Sequence, residues 1–291
     1  MDWASASTLD RVEEHRDDPT WVAHQWVATG SVLLPVDERG RFPVGHAGAR
    51  LRFSRPDGAY DPARVHLLGL CSGRAVFCEA VPTIEGEVAS LREAGHRLAD
   101  DQADVAFVAT ALTAWHRLER HCGGCGAATE PRRAGMQRSC PGCGRASWPR
   151  TDPAVIVAVS NDDDAILLAH QHSWAEGRVS VLAGFVETGE SLEQALHREI
   201  LEEAGVRLAD LRYVASQPWP FPRSLMLGFR ARALTTDLQM DLDELAWGDW
   251  YTRDRLREEL SAGRLFLPGE ASLAHRLIVD WWGEQDPLPG Q

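Results

Sequence analysis

The segment Gly184–Val206, GFVETGESLEQALHREILEEAGV, constrains the fold more than any other stretch of this chain. It reads as a loop feeding an amphipathic helix. Ser191, with Gln194 three residues later, forms a capping-box pattern in which two otherwise orphaned amides are satisfied. Leu192, Ala195, Leu196 and Ile200 recur at helical spacing and are expected to face a core. Glu199, Glu202 and Glu203 stand at i, i+3 and i+4, so they project from one patch of helix surface. Gly205 supplies a residue that tolerates the left-handed turn at a helix C-terminus.

Three carboxylates at this spacing repel one another. One reading is a solvated acidic face with Arg198 as counter-ion. The other is a site for a hard divalent cation such as Mg²⁺ or Mn²⁺, which prefers oxygen ligands and relieves the repulsion. Spacing alone leaves both open. Gly184, Glu190 and the Arg198-Glu199 step complete the pattern G-x5-E-x7-R-E-U-x-E-E-x-G-U, where U is a bulky apolar residue. The segment thereby resembles the Nudix box, and the chain is identified as a member of the Nudix hydrolases.

The length of 291 residues suits two or three domains. With 44% hydrophobic and 25% charged residues, the composition is that of a soluble globular protein. No apolar run reaches the ~18 residues of a membrane span, so no membrane partner is expected. The N-terminus, MDWASASTLDRVEEHRDD, lacks the basic start and apolar stretch of a signal peptide, and a cytoplasmic location is expected. A net charge of −13 argues against broad binding to nucleic acid. It also requires that any phosphate site be neutralised locally, by metal ions and a few arginines. Cys71 and Cys78 lie in apolar, strand-like surroundings and read as buried free thiols.

Residues 1–30 look irregular, with Trp3, Trp21 and Trp26 as packing anchors. SVLLPV, RVHLLGL and RAVFCEAV read as strands, and VASLREAGHRL and DVAFVATALTAWHRLERH as a helical pair. This first part is expected to be an α+β scaffolding or dimerisation domain, residues 1–117. Cys122-x2-Cys125 and Cys140-x2-Cys143 then form paired knuckles with zinc-ribbon spacing, residues 118–148. Four thiolates close a tetrahedral Zn²⁺ shell, which points to a structural ion; a redox pair is the weaker alternative. Arg132, Arg133, Arg138 and Arg145 leave open a nucleic-acid role for the ribbon. Residues 149–291 carry further strand patterns at AVIVAVS, AILLAH, RVSVLAGFV, LRYVASQPW and SLMLGFRARAL. Helical patterns follow around DRLREELSAG and SLAHRLIVDWW. The expected fold class is α+β, ending in the α/β/α sandwich that the Nudix resemblance implies.

A second motif follows the box: Ser216-Gln217-Pro218-Trp219-Pro220-Phe221-Pro222-Arg223-Ser224. Its alternating prolines suggest a rigid polyproline-like loop. It is similar to the SQPWPFPxS signature of NADH pyrophosphatases, a Nudix subgroup that also carries a zinc ribbon. That resemblance implies hydrolysis of NADH or NAD⁺ to NMN(H) and AMP, removal of NAD caps from RNA 5′ ends in some members, and a homodimer. By the same resemblance Glu199, Glu202, Glu203, Glu244 and Ala183 are implied at the Mg²⁺ or Mn²⁺ site. Glu202 is alternatively the group that orients the attacking water, and Glu190 and Arg198 brace the loop and helix. Phe185 and Trp148 are implied to stack on the substrate, although Trp148 stands where relatives carry tyrosine and could instead pack on the ribbon. Gln217, Pro218, Trp219, Pro220, Phe221, Pro222, Ser224 and Ala274 complete the implied substrate set. Arg150, Arg178 and Arg223 are candidates for the diphosphate. Two alternatives stand beside this reading: a Nudix diphosphatase preferring ADP-ribose or another nucleoside diphosphate derivative, and a zinc-ribbon RNA-binding protein.

Overall fold

The computed structural model describes residues 5–45, 47–283 and 288–289, so Trp3 lies outside the described residues. The chain divides into two compact units. One comprises Met1–Arg150 with Pro220–Arg223, the other Thr151–Trp219 with Ser224–Gln291.

In the first unit the Asp18 carboxylate accepts the N–H groups of Thr20 and Trp21, and Pro19 occupies the first helical position. Helix α1 (Pro19–Val27) therefore forms where the sequence looked irregular. It buries Trp26, whose indole N–H donates to the Gly58 carbonyl at 3.0 Å. The three expected strands are β1 (Val32–Val36), β2 (Val65–Cys71) and β3 (Arg74–Ala80). β3 lies between β2, antiparallel, and β1, parallel. Helix α2 (Asp100–Leu118) packs Ala103, Ala106 and Leu112 against Leu34, Val36 and Leu68 of that sheet. Of the expected helical pair, the second member forms as α2, and the first is cut to one turn. Residues 88–98 hold the short strand Val88–Ala89 and a single turn, Leu91–Ala94, which stops at Gly95, a poor helix former. Cys71 and Cys78 are buried free thiols.

The ribbon contributes a three-stranded antiparallel sheet, β4 (Glu130–Arg132), β5 (Gln137–Ser139) and β6 (Ala146–Ser147), with β5 central. Phe221 also belongs to this unit. It packs against the α2 core cluster, and the Arg92 guanidinium carbon lies 4.4 Å above its ring centroid.

The second unit is a three-layer α/β/α sandwich. Its six strands are β7 (Asp152–Ser160), β8 (Ile166–Gln171), β9 (Leu182–Phe185), β10 (Leu208–Trp219), β11 (Ser224–Ala233) and β12 (Leu245–Tyr251). They run in the order β10-β11-β7-β8-β12, with β9 also paired to β7; only β7 and β11 are parallel. β7 explains its own apolar run. Val155, Val157 and Val159 face α3 (Leu192–Ala204), the box helix, while Ile156 and Ala158 face α5 (Leu273–Trp282). A strand covered on both faces needs no polar alternation. β12, which the sequence reading did not anticipate, pairs with β8 at one edge, ahead of α4 (Arg253–Ser261).

The SQPWPFPRS segment is not a polyproline-like loop. Ser216–Trp219 end the edge strand β10, in register with Ser224–Leu227 of β11, and only Pro220–Arg223 form the turn. Pro218 lacks a donor for a ladder, but an edge strand tolerates that loss. Among the described residues no helix is long and apolar enough to cross a membrane.

Candidate active site on the box helix

Helix α3 begins as its residues dictate. Ser191 Oγ accepts the Gln194 N–H at 3.2 Å, and Gln194 Oε1 accepts the Ser191 N–H at 2.8 Å. At the other end Gly205 takes the left-handed conformation, φ 72°, and the helix stops. Two of its last carbonyls, those of Glu203 and Ala204, accept the N–H groups of Asp241 and Gln239, each at 2.9 Å. The chain that carries Glu244 is thus tied to the end of the helix that carries Glu203.

Arg198 organises the loop side. Its Nε and Nη2 grip the two oxygens of Glu190 at 2.7 and 2.8 Å, and Nη2 also donates to the Phe185 carbonyl at 2.9 Å. Its Nη1 lies 2.9 Å from Glu199 and 3.3 Å from Glu202. This guanidinium, aided by the Glu187 N–H, pulls Glu190 down to about 2. Gly184 is needed for close approach: a Cβ there would overlap the Glu199 carboxyl group.

The three helix carboxylates, read as one patch, differ in environment. Glu202 has 61% of its side chain exposed and Glu199 14%. Glu203 is buried at 6%, with its Oε2 lacking any hydrogen-bond partner. Burial, then the facing carboxylates of Glu199, Glu244, Asp241 and Glu202, push Glu203 up to about 8. Burial also raises Glu199, against the opposing pull of Arg198. A buried, unpartnered carboxylate oxygen among other carboxylates is costly unless a cation meets it, and oxygen donors of this kind suit a hard divalent ion. Asp241 is the member of the cluster that sequence reading missed. Its signal was the acidic run DLDEL ahead of β12, of which only Glu244 stood out.

Other implied residues fall in distinct places. Ala183 lies on β9 opposite Ile156, and Phe185, at the end of β9, is 56% exposed. Ala274 lies in the first turn of α5 and is buried. Gln217 is also buried, and its amide is engaged by the α5 start: Nε2 donates to Ala271 O at 2.6 Å and Oε1 accepts the Leu273 N–H at 2.8 Å. Trp148, 44% exposed, follows β6 in the first unit, the unit that also holds Pro220, Phe221, Pro222 and Arg223. Pro218 is exposed, and Trp219 pairs with the buried Ser224. Arg178 lies over Trp174, 5.1 Å from the ring centroid, and Arg150 is exposed.

In the ribbon the four ligand atoms of Cys122, Cys125, Cys140 and Cys143 lie within 4.8 Å of one another, the one such cluster among the described residues. The glutamates of α3 are therefore gathered less tightly than the thiols. N–H groups of Gly124 and Cys125 draw the Cys122 thiol down to about 6, favouring the thiolate that zinc requires. Four sulfurs leave no open position, so the zinc they fit is structural. Three of the four ribbon arginines are engaged within the unit, while Arg145 is exposed. Arg132 pairs with Glu130, and Arg133 with Glu13 and Asp17. Arg138 is buried, bonded to Thr129 and to His116 Nδ1.

Comparison with known proteins agrees with this layout. Residues 150–268 match the NUDIX domain, and residues 117–147 match the NADH pyrophosphatase zinc ribbon domain. A relative from Mycobacterium bovis (strain BCG / Pasteur 1173P2), named NAD-capped RNA hydrolase NudC, is 38% identical across 94% of this chain and 92% of its own. The human NAD-capped RNA hydrolase NUDT12 is 38% identical across 64% of this chain and 43% of its own. The chain belongs to the Nudix hydrolase family, in the NADH pyrophosphatase branch that carries a zinc ribbon.

Proposed function

We propose that this enzyme hydrolyses the diphosphate of NADH and NAD⁺, releasing AMP and NMN(H), and removes NAD caps from RNA 5′ ends. The observation that carries the proposal is the buried, unpartnered Glu203 facing Glu199 and Glu244, in a chain that is 38% identical over nearly its whole length to a named NAD-capped RNA hydrolase. In this reading Glu199, Glu203, Glu244 and Ala183 hold Mg²⁺ or Mn²⁺. Such ions, when bound, neutralise the phosphoryl charge and acidify a bound water. Glu202, solvent-facing on the same helix, orients the attacking water. Water adds to one phosphorus, the bridging P–O bond breaks, and each product leaves with one phosphate. Arg198 and Glu190 fix the loop so that Glu199 and the Phe185 ring keep their places. Phe185 stacks on one base, while Ala274 contacts the substrate through its backbone.

The division into residues 1–117, 118–148 and 149–291, assembly as a homodimer and a cytoplasmic location belong to the same proposal. A preference for ADP-ribose is the second reading within the family. The ribbon as an RNA-binding module is disfavoured by the engagement of Arg132, Arg133 and Arg138 inside the first unit. Incubation with Mg²⁺ or Mn²⁺ and NADH, NAD⁺, ADP-ribose or NAD-capped RNA, with AMP and 5′-monophosphate RNA quantified, tests the proposal. Absence of AMP from both NADH and NAD⁺ would overturn it.

A further inference from the structure

Gln217 sits inside the motif that resembles a substrate signature, yet only 2% of it is exposed. Both ends of its amide are taken by a segment more than fifty residues away. The NH₂ donates to the Ala271 carbonyl at 2.6 Å, and the carbonyl oxygen accepts the Leu273 N–H at 2.8 Å. These bonds bracket Ser272, the N-cap of α5. Ser272 in turn accepts the His275 N–H on its hydroxyl and the Arg276 N–H on its carbonyl, each at 3.2 Å. The Arg276 bond is the first of the helix itself. Of the four N–H groups that a helix start leaves without intrahelical partners, here those of Ser272, Leu273, Ala274 and His275, three are satisfied within the unit: Ser272 donates to the Gly269 carbonyl at 2.9 Å, and Leu273 and His275 donate as described. Among the described residues the Ala274 N–H is the remaining one, with no acceptor. The Ala274 methyl belongs to the core cluster.

We propose that Gln217 is a positioning residue rather than a substrate ligand: it pins the start of α5 so that the free Ala274 N–H is presented to the substrate. The inference rests on the functional reading above, in which Ala274 contacts the substrate. Its physical basis is the difference between holding and touching. A planar amide that donates on one side and accepts on the other fixes Ala271 and Leu273 relative to β10, and so fixes the residue that follows them. A neutral backbone donor needs such help, because a misaligned N–H loses most of its hydrogen bond.

The test uses the full chain with its zinc retained, in Mg²⁺, and two variants. Gln217→Met keeps shape and removes both bonds. Gln217→Glu keeps an acceptor for Leu273 and removes the donor to Ala271. For Gln217→Met we expect KM for NADH to rise about tenfold, equivalent to ~1.4 kcal/mol, with kcat within about twofold, since the bond lost is made in ground and transition states alike. Gln217→Glu should fall between that variant and the unmutated enzyme. Amide exchange at Leu273 should accelerate in the same order. Faster exchange with unchanged KM would overturn the proposal, as would a fall in kcat at constant KM. Should Gln217→Met not fold, the Gln217→Glu KM and Leu273 exchange decide: both raised supports the proposal, KM unchanged overturns it. If the unmutated chain releases no AMP from NADH, it is the functional reading that fails, and this inference with it.

Discussion

Arg198 holds Glu190 in a two-pronged grip, Nε to Oε1 at 2.7 Å and Nη2 to Oε2 at 2.8 Å, while the same guanidinium reaches Glu199 and the Phe185 carbonyl. A planar fork is required, because a lysine ammonium cannot serve four acceptors in these directions. Arg198→Lys should therefore keep the fold but displace Glu199 and the β9 end. We expect kcat for NADH to fall by ~10²-fold, the scale of a 1 Å misplacement. Steady-state kinetics alongside a thermal melt separate this from unfolding.

Glu203→Gln should lower kcat by ~10²-fold or more, about 2.7 kcal/mol of transition-state stabilisation. Its effect on stability should have the opposite sign. A carboxyl whose folded pKa lies above its unfolded value of about 4.3 binds more protons when folded, so its contribution turns unfavourable as pH rises. Between there and about 8, the value to which burial and the neighbouring carboxylates push Glu203, the unmutated protein without Mg²⁺ or Mn²⁺ should lose stability that Glu203→Gln retains. At pH 8 the variant should melt several degrees higher, and added Mn²⁺ should narrow the gap by stabilising only the unmutated protein. Divalent ions are removed here by dialysis, because a chelator would also strip the ribbon zinc. Equal melting temperatures at pH 8 would count against the buried, ion-seeking carboxylate.

Phe185→Ala removes an exposed ring at the end of β9. Base–aromatic stacking is worth ~1–3 kcal/mol and acts in ground and transition states alike, so KM for NADH should rise about tenfold with kcat little changed. An unchanged KM removes the stacking role.

Cys140→Ser replaces a thiol that is 1% exposed and shares its cluster with Cys122, Cys125 and Cys143. Bound zinc should be lost and the first unit destabilised by several kcal/mol, a fraction of the ~10–16 kcal/mol that such sites contribute. Metal analysis by mass spectrometry and a melt measure both; retention of zinc and melting temperature would refute the ribbon assignment.

What could be read from the sequence was what neighbouring residues decide together. The Ser191–Gln194 cap, the Gly205 stop and the cysteine knuckles are local patterns, and each formed where its spacing indicated. Alternating burial along β7 was less visible, because a strand covered on both sides shows only an apolar run. What escaped depends on distant partners. Gln217 bonds to residues 54 and 56 positions away, and nothing in its own neighbourhood announces them. Prolines around Trp219 suggested an isolated loop because ladder pairing with β11 is invisible to local propensity. The different fates of Glu202 and Glu203, one exposed and one buried, follow from which side of the helix meets the Asp241 segment.

The parallel pairing of β7 with β11 has a bearing on how the molecule is made. Asp152 lies beside Ser224, and Ser160 beside Arg232, roughly seventy residues apart in sequence. A ribosome therefore delivers the carboxylate-bearing helix well before β11, the parallel neighbour of β7 in the sheet behind it. Until Arg232 has left the exit tunnel, β7 lacks one neighbour and the valines beneath α3 lack a finished wall. Folding of the catalytic unit is thus a late event in synthesis, whereas the cysteine knuckles, complete at residue 143, can gather their metal while the rest of the protein is still being translated.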